Sequence, residues 1–294
     1  MVVMGFGLGA LFMSLFIGPM VKTACTEVVE GVKVVNWPTV FYIIAAILGI
    51  PGLIAASVFR NPPAGFVPAG YTPPAVGSVG SADQGNLTAK MCICSPQFWL
   101  MWFIFFCNIT AGIMFIGFQS PILQDLLKVS DPTMVAAALT AAGGTLIAIS
   151  SIFNGIGRFF WGGLSDKIGR VQAFRLIIGS QILVFSALVF VSNPWIFSIL
   201  VCYVLLCYGG GFGTAPSFVM TVFGSKVMAV VYGTLLTAWS MAGLVGPKVA
   251  AYFRDNYKEP GQAATYTFIT GACILTAGLL VSFLLSNKQF IRKS

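Results

Sequence analysis

One arginine lies inside a segment that is otherwise long and apolar enough to cross a membrane. Arg158 falls within residues 134–164 of the 294-residue chain, eight residues before Asp166. Moving a guanidinium towards the middle of a bilayer costs at least about 2.5–3.5 kcal/mol, so such a residue usually faces a bundle interior or an aqueous path. A guanidinium there can bind a carboxylate through two parallel hydrogen bonds. Arg158 is therefore a candidate substrate-binding residue. The alternative is a structural brace that bonds to backbone carbonyl groups or to Asp166.

Polar and aromatic side chains at helical spacing are further candidates for the lining of a substrate path. They are Asn154 beside Arg158, Asn108 and Gln119 in the preceding span, and Tyr232 and Trp239 in a later span. An aromatic and hydroxyl wall around one arginine suits a small carboxylate with a short apolar body. Each of these residues, taken singly, also fits ordinary helix packing.

The residue types that most often support catalysis or bind metals are scarce. The chain has no histidine, and its 7 cysteines form no regular pattern. Without histidine, the pair Cys92 and Cys94 lacks the usual partners of a zinc site, and the commonest general base is missing. We see no paired intramembrane carboxylates that could replace it. We therefore expect no enzymatic activity, no metal and no cofactor.

The composition indicates a membrane protein. Hydrophobic residues make up 57% of the chain and charged residues only 8%, whereas soluble domains are about 25% charged. A helix needs about 20 mostly apolar residues to cross about 30 Å of hydrocarbon. Eight segments qualify: 1–21, 38–59, 97–123, 134–163, 172–191, 195–222, 228–252 and 264–286. The expected fold class is an all-α polytopic membrane protein with about eight transmembrane helices.

The charges predict an orientation in the bilayer. With both termini in the cytoplasm, all of the net charge of +8 except Arg158 itself falls in cytoplasmic loops, as the positive-inside rule requires. The orientation of the chain in the membrane thus accounts for the excess of basic residues, and we expect no nucleic-acid partner. A plasma membrane is the expected location. The proline-, glycine- and serine-rich residues 61–94 predict a cytoplasmic linker between two spans and six spans.

The most specific string is residues 162–170, Gly-Gly-Leu-Ser-Asp-Lys-Ile-Gly-Arg. It resembles the signature loop of the major facilitator superfamily, Gly-x-x-x-Asp-Arg/Lys-x-Gly-Arg, which joins two helices of one transporter half. Gly169 permits a tight reversal, and Asp166 and Arg170 can pair with each other or with helix ends. We expect these three residues to form part of a gate. The alternative is a short basic turn that merely obeys the positive-inside rule.

Four other strings are similar to the oxalate/formate antiporter family within that superfamily. They are Met4-Gly5-Phe6-Gly7-Leu8-Gly9-Ala10, Asn61-Pro62-Pro63-Ala64-Gly65, residues 208–213 (Tyr-Gly-Gly-Gly-Phe-Gly) and residues 232–240 (Tyr-Gly-Thr-Leu-Leu-Thr-Ala-Trp-Ser). Members of that family, and the broader monocarboxylate transporters, carry organic anions and use an arginine in the eighth helix of the full transporter. The resemblance implies alternating access, with Arg158 at that position.

Two departures from the family pattern refine this expectation. The oxalate carrier places a lysine after Thr-Ala in its eleventh helix, whereas Trp239 follows Thr237-Ala238 here. One guanidinium matches one carboxylate, so a monocarboxylate such as formate or pyruvate is the expected substrate, with oxalate left open. Exchange and anion/proton symport both fit. A receptor or scaffold that retains the fold, or a channel, is the alternative.

The second departure is the number of spans. By motif, the eight segments resemble helices five to twelve of the twelve-helix family. The resemblance then implies that residues 1–60 are the last two helices of the N-terminal half and that residues 95–294 are the six-helix C-terminal half. We expect the coding sequence to continue upstream with four more spans of the same polypeptide.

Overall fold

A computed structural model describes residues 2–29, 32–60, 63, 66, 87–257, 259, 261–288 and 290. The chain divides into two compact units, one formed by Met1–Leu11 with Val76–Ser294 and the other by Phe12–Ala75. Within the described residues, seven helices are long and apolar enough to cross a membrane. The predicted all-α polytopic membrane fold is confirmed.

The smaller unit contains a π-helical turn, a short helix, a hairpin and one long helix. In chain order they are Met13–Ile17, α3 (Gly18–Ala24), β1 (Thr26–Val29), β2 (Val32–Val35) and α4 (Trp37–Val58). The two strands are antiparallel, with Thr26 opposite Val35. Helix α4 begins where the Asn36 side chain accepts a hydrogen bond from the N–H of Thr39 at 3.1 Å, which satisfies a free donor of the first turn. The hairpin was not predicted from the sequence.

The predicted span 1–21 is wrong as one regular helix. Its first part forms α1 (Val2–Gly7), and α2 (Gly9–Phe12) follows after a turn at Leu8. Glycines at positions 5, 7 and 9 lower the helix propensity of this stretch. The uninterrupted helical stretch Gly9–Val21 is shorter than a membrane span.

The larger unit holds the remaining helices in the described part of the chain. They are α5 (Ala89–Ile93), α6 (Pro96–Ser130), α7 (Ala136–Ile168), α8 (Arg170–Leu188), α9 (Pro194–Phe223), α10 (Met228–Leu235), α11 (Thr237–Asn256) and α12 (Gln262–Ser282). Helices α10 and α11 together make one membrane-length segment, Met228–Asn256.

Most of the predicted linker, residues 61–94, lies outside the described residues, and α5 falls within the part of it that is described. The division into transporter halves stays a prediction.

Capping residues explain where the long helices begin. The Ser95 hydroxyl accepts the N–H of Phe98 at 3.3 Å at the start of α6. The Asn193 side chain accepts the N–H groups of Trp195 at 2.9 Å and Ile196 at 3.2 Å at the start of α9. In both cases proline occupies the next position, where its missing N–H costs nothing. These two helices thus begin one residue before the apolar runs that predicted them.

Helices α7 and α9 approach each other at backbone distance. A Cβ added to Gly157 would lie 2.0 Å from the carbonyl oxygen of Leu206, and one on Gly209 would lie 2.0 Å from that of Asn154. A Cβ on Gly213 would lie 2.4 Å from the carbonyl oxygen of Arg158. Close packing of this kind drives helix association in lipid. It also fixes the backbone that carries the candidate arginine.

Candidate functional site

Arg158 is buried on α7, and its charge has no counterion in the described structure. The residue is 6% exposed, and its Nε and Nη2 atoms are buried without a hydrogen-bond partner among the described residues. Asp166, the ion-pair partner in the brace hypothesis, pairs with Arg170 instead. A buried guanidinium with free donors is a strong attractor for an anion, because few competing dipoles or waters screen it.

Two aromatic rings cover the guanidinium. Its Cζ atom lies 5.1 Å from the centroid of the Phe6 ring and 4.9 Å from that of the Phe212 ring. Both distances are typical of cation–π contacts, in which the negative face of the ring partly compensates the charge. The contacts bring together α1, α7 and α9 around one cation.

Trp239 and Tyr208 extend this aromatic surface. The centroid of the Trp239 ring lies 5.6 Å from that of Phe6 and 5.7 Å from that of Phe212, and its plane is nearly perpendicular to both rings. The ring of Tyr208 packs against that of Phe212 at a steep angle, with 5.3 Å between the ring centroids. The hydroxyl groups of Tyr208 and Tyr232 lie within electrostatic range of Arg158. Of the predicted site residues, Trp239 thus packs on the two rings that cover the arginine, and Tyr232 is near enough to influence its charge.

Asn154 lies one turn before Arg158 and contacts α1. Its Nδ2 atom donates to the carbonyl oxygen of Gly7 at 3.5 Å. Gly7 itself packs tightly here, because an added Cβ would lie 3.1 Å from Nε of Arg158 and 2.9 Å from Cα of Gly155. Asn154 is thus near the arginine, and its present hydrogen bond joins two helices.

Asn108 and Gln119 have partners away from the arginine. Oδ1 of Asn108 accepts a hydrogen bond from Nε2 of Gln181 at 2.7 Å, which links α6 to α8. Oε1 of Gln119 accepts one from the Ser150 hydroxyl at 2.9 Å, which links α6 to α7. Their contacts within the described chain are those of buried inter-helix clamps. A direct role in substrate binding stays a prediction.

The sequence reasoning missed Phe6 and Phe212 as site residues. Each lies between two glycines, in the strings Gly5-Phe6-Gly7 and Gly211-Phe212-Gly213. A large ring flanked by residues without side chains can approach a neighbouring helix closely. That pattern was the available signal, although it could not indicate which residue the rings would contact.

The predicted gate residues form a compact turn. Gly169 ends α7 and begins α8 with φ of +92°, a conformation that other residues rarely adopt. Arg170 pairs with Asp166 and also donates to the Ser165 hydroxyl. The geometry thus has the expected tight reversal and ion pair, and the gating role stays a prediction.

The segment after α12 is bonded to the same end of the larger unit. The Asn287 side chain accepts the N–H of Val171 at 3.0 Å, which caps the first turn of α8. Arg175 donates to the carbonyl oxygen of Ser282 at 3.0 Å. These bonds connect the turn between α7 and α8 to the end of α12.

Known proteins share both the sequence pattern and the fold. The family model for the Major Facilitator Superfamily matches residues 1–247. The oxalate:formate antiporter of Oxalobacter formigenes is 26% identical over 260 residues, which cover 86% of this chain and 54% of that protein. The multidrug resistance protein MdtG of Rahnella sp. (strain Y9602) is 30% identical over 156 residues, which cover 52% of this chain and 36% of that protein.

A solved structure agrees with the family match at the level of the fold. It is the crystal structure of a bacterial homologue of the human lysosomal transporter Spinster, in an inward-facing and unoccupied conformation. The TM-score is 0.52 at 18% sequence identity, with 97% of this chain and 64% of that chain covered. This chain spans about half the length of the oxalate:formate antiporter that it matches. It is an integral, multi-pass membrane protein, and it belongs to the major facilitator superfamily.

Proposed function

We propose that this chain is part of a transporter that moves small organic anions by alternating access. The observation that carries the proposal is Arg158, buried at 6% exposure with Nε and Nη2 unbonded in the described structure. A cation in that position marks a substrate or ion route in membrane proteins. The similarity to an oxalate:formate antiporter supports an anionic substrate.

A monocarboxylate is the proposed substrate, because one guanidinium forms one bidentate pair. Lys248 does not supply a second cation: it lies nine residues after Trp239, about 13 Å along the helix at 1.5 Å per residue, and is exposed. The rings of Phe212 and Trp239 offer an apolar surface beside the charge. Formate and pyruvate suit such a site, and oxalate remains the competing substrate.

The proposed cycle uses the anion to neutralise the arginine. With a carboxylate bound, the site loses its net charge, which lowers the cost of reorienting it between the two sides of the membrane. Both exchange and anion/proton symport fit this scheme. We propose a plasma membrane location with both ends of the chain in the cytoplasm, as the distribution of basic residues favours.

Counterflow in proteoliposomes tests the proposal on the complete protein that the gene encodes. Labelled formate should accumulate transiently against unlabelled formate or pyruvate, with saturable kinetics. Uptake without saturation would indicate a channel, and the absence of uptake would favour a receptor or scaffold. Because multidrug resistance proteins also match the chain, a hydrophobic cationic drug belongs in the competition series, and we expect it not to compete.

Replacing Trp239 by lysine should shift the preference towards oxalate. The second cation adds a charged hydrogen bond to a dicarboxylate, for which we expect the ratio of oxalate to formate transport to rise roughly 10-fold. The half-buried ammonium also carries a desolvation cost, so the maximal rate should fall. Competition between labelled formate and oxalate measures the ratio. Trp239→Phe keeps a ring without the charge and is the control. A parent protein that already prefers oxalate would refute the monocarboxylate assignment.

Asp166→Asn should slow transport and leave substrate affinity intact. Its ion pair with Arg170 lies at the turn between α7 and α8, with the two side chains 64% and 18% exposed. Such pairs contribute at most about 1 kcal/mol, so we expect the maximal rate to change roughly 2- to 5-fold. Kinetic constants and equilibrium binding of formate check this, with exposed Asp125→Asn as the control. A large loss of binding affinity would contradict the gating role.

A further inference from the structure

A side chain from α7 bridges the break between α1 and α2. The Ser151 hydroxyl donates to the carbonyl oxygen of Gly7 at 2.9 Å and accepts the N–H of Leu11 at 3.0 Å. In a regular α-helix, the N–H of Leu11 would bond directly to the carbonyl of Gly7, four residues earlier. The hydroxyl therefore occupies the place of one missing helical hydrogen bond.

The surroundings hold the hydroxyl in that position. Ser151 is 3% exposed, and the backbone of Gly7 lies against that of Gly155 on the same helix as Ser151. The N–H of Leu8 bonds to the carbonyl of Gly5 at 3.2 Å, a tighter turn than that of an α-helix. Insertion of a side chain into the hydrogen-bond ladder is a recognised cause of sharp helix bends.

Phe6 lies beside the break. Phe6 directly precedes the bridged Gly7, and its ring covers Arg158 at 5.1 Å while remaining 58% exposed. The ring takes up space beside the guanidinium that a carboxylate with its apolar body would need. In the described structure the aromatic ring therefore stands where the proposed substrate would pack.

We propose that Ser151 is a positioning residue that holds the anion-free site closed. With its hydroxyl inserted, the segment stays broken and Phe6 stays on Arg158. When the hydroxyl withdraws, the N–H of Leu11 bonds directly to the carbonyl of Gly7, and the straightened segment lifts Phe6 from the cation. Both backbone groups are bonded in either state, and the closed state is favoured by the two hydrogen bonds of the buried Ser151 hydroxyl. An anion that binds the open state can therefore shift the populations towards it. The inference rests on the proposed anion site at Arg158.

The test is equilibrium binding of labelled formate and labelled oxalate to the complete protein and its variants. Ser151→Ala removes the bridge and destabilises the closed state. The dissociation constant should therefore fall roughly 2- to 10-fold, the equivalent of a typical hydrogen bond. A purely structural role would weaken binding or lower the yield, and would not tighten binding. Thr145→Ala is the control, because that hydroxyl bonds to Ala141 in its own helix at 2.9 Å; it should bind like the parent.

Phe6→Ala gives a second, independent measurement. It removes the closing ring directly and should tighten binding by a similar factor. The double variant should bind no more tightly than the tighter single variant, because both changes act on one state. Additive effects would overturn the coupling, and weaker binding by Phe6→Ala would overturn the closing role of the ring even if Ser151→Ala folds poorly.

Arg158→Ala separates this inference from the proposed function. If Arg158→Ala binds formate and oxalate like the parent, the anion site itself is wrong. If Arg158→Ala loses binding while Ser151→Ala matches the parent, only the role of Ser151 is wrong.

Discussion

Arg158→Ala should lose nearly all saturable uptake while the amount of folded protein stays close to that of the parent. Truncating one partner of a buried, hydrogen-bonded charge pair costs about 2–5 kcal/mol, which corresponds to roughly a 30-fold loss or more in transport efficiency. The fold loses little, because Nε and Nη2 make no hydrogen bond in the described structure. What disappears is the cation–π contact with Phe6 and Phe212, worth about 0.5–2 kcal/mol.

Arg158→Lys distinguishes charge from geometry. An ammonium keeps the charge but cannot reproduce the planar fork that bonds a carboxylate at two points, so we expect roughly a 10-fold loss. Counterflow and detergent-extracted yield should be measured together. Lys128→Ala removes an exposed cation at the end of α6 and should transport normally. Normal transport by Arg158→Ala would refute the site, whereas loss of the folded protein would restore the brace hypothesis.

Gly157→Ala should damage folding far more than Gly163→Ala, although both change the same residue type in α7. A Cβ at position 157 would lie 2.0 Å from a backbone oxygen of α9, whereas one at position 163 meets no atom within 4 Å. Overpacking costs about 1–3 kcal/mol, and a rigid backbone cannot move aside as a flexible side chain can.

The thermal unfolding of the two variants in detergent measures this difference. We expect the midpoint for Gly157→Ala to fall by about 2–12 °C. Gly163→Ala should match or exceed the parent, because alanine favours a helix by up to about 1 kcal/mol over glycine. Equal midpoints for the two variants would mean that α7 and α9 do not meet at backbone distance.

Local sequence patterns predicted the long helices because each depends on its own composition. Residues 195–222 were predicted as one span and form α9, Pro194–Phe223, since an apolar run and an Asn-Pro start suffice. Span 1–21 failed because its break involves Ser151, more than a hundred residues away. The pattern of apolar residues within the segment itself cannot reveal a hydrogen bond to a residue so distant in the chain.

The sequence pointed to the arginine of the candidate site and to two residues near it, Asn154 and Trp239, and it did not point to the rings that cover the arginine. Arg158 stood out because one guanidinium in an apolar segment is costly. The rings of Phe6 and Phe212 reach it through tertiary packing that helical spacing does not encode. Asn108 and Gln119 share a face of α6, yet they pair with Gln181 and Ser150 on different helices. A shared face indicates a common direction, and the partner in that direction is set by the neighbouring helices.

The main-chain contact between α7 and α9 limits what a substitution at position 158 can disturb. Gly213 packs against the carbonyl oxygen of Arg158 and Gly157 against that of Leu206, so main-chain contacts join the two helices, and the arginine side chain adds its cation–π contact with Phe212. A change of side chain at position 158 therefore leaves the backbone contact between α7 and α9 in place. Such a change alters the charge of the candidate site, and the close glycine contacts between the two helices remain.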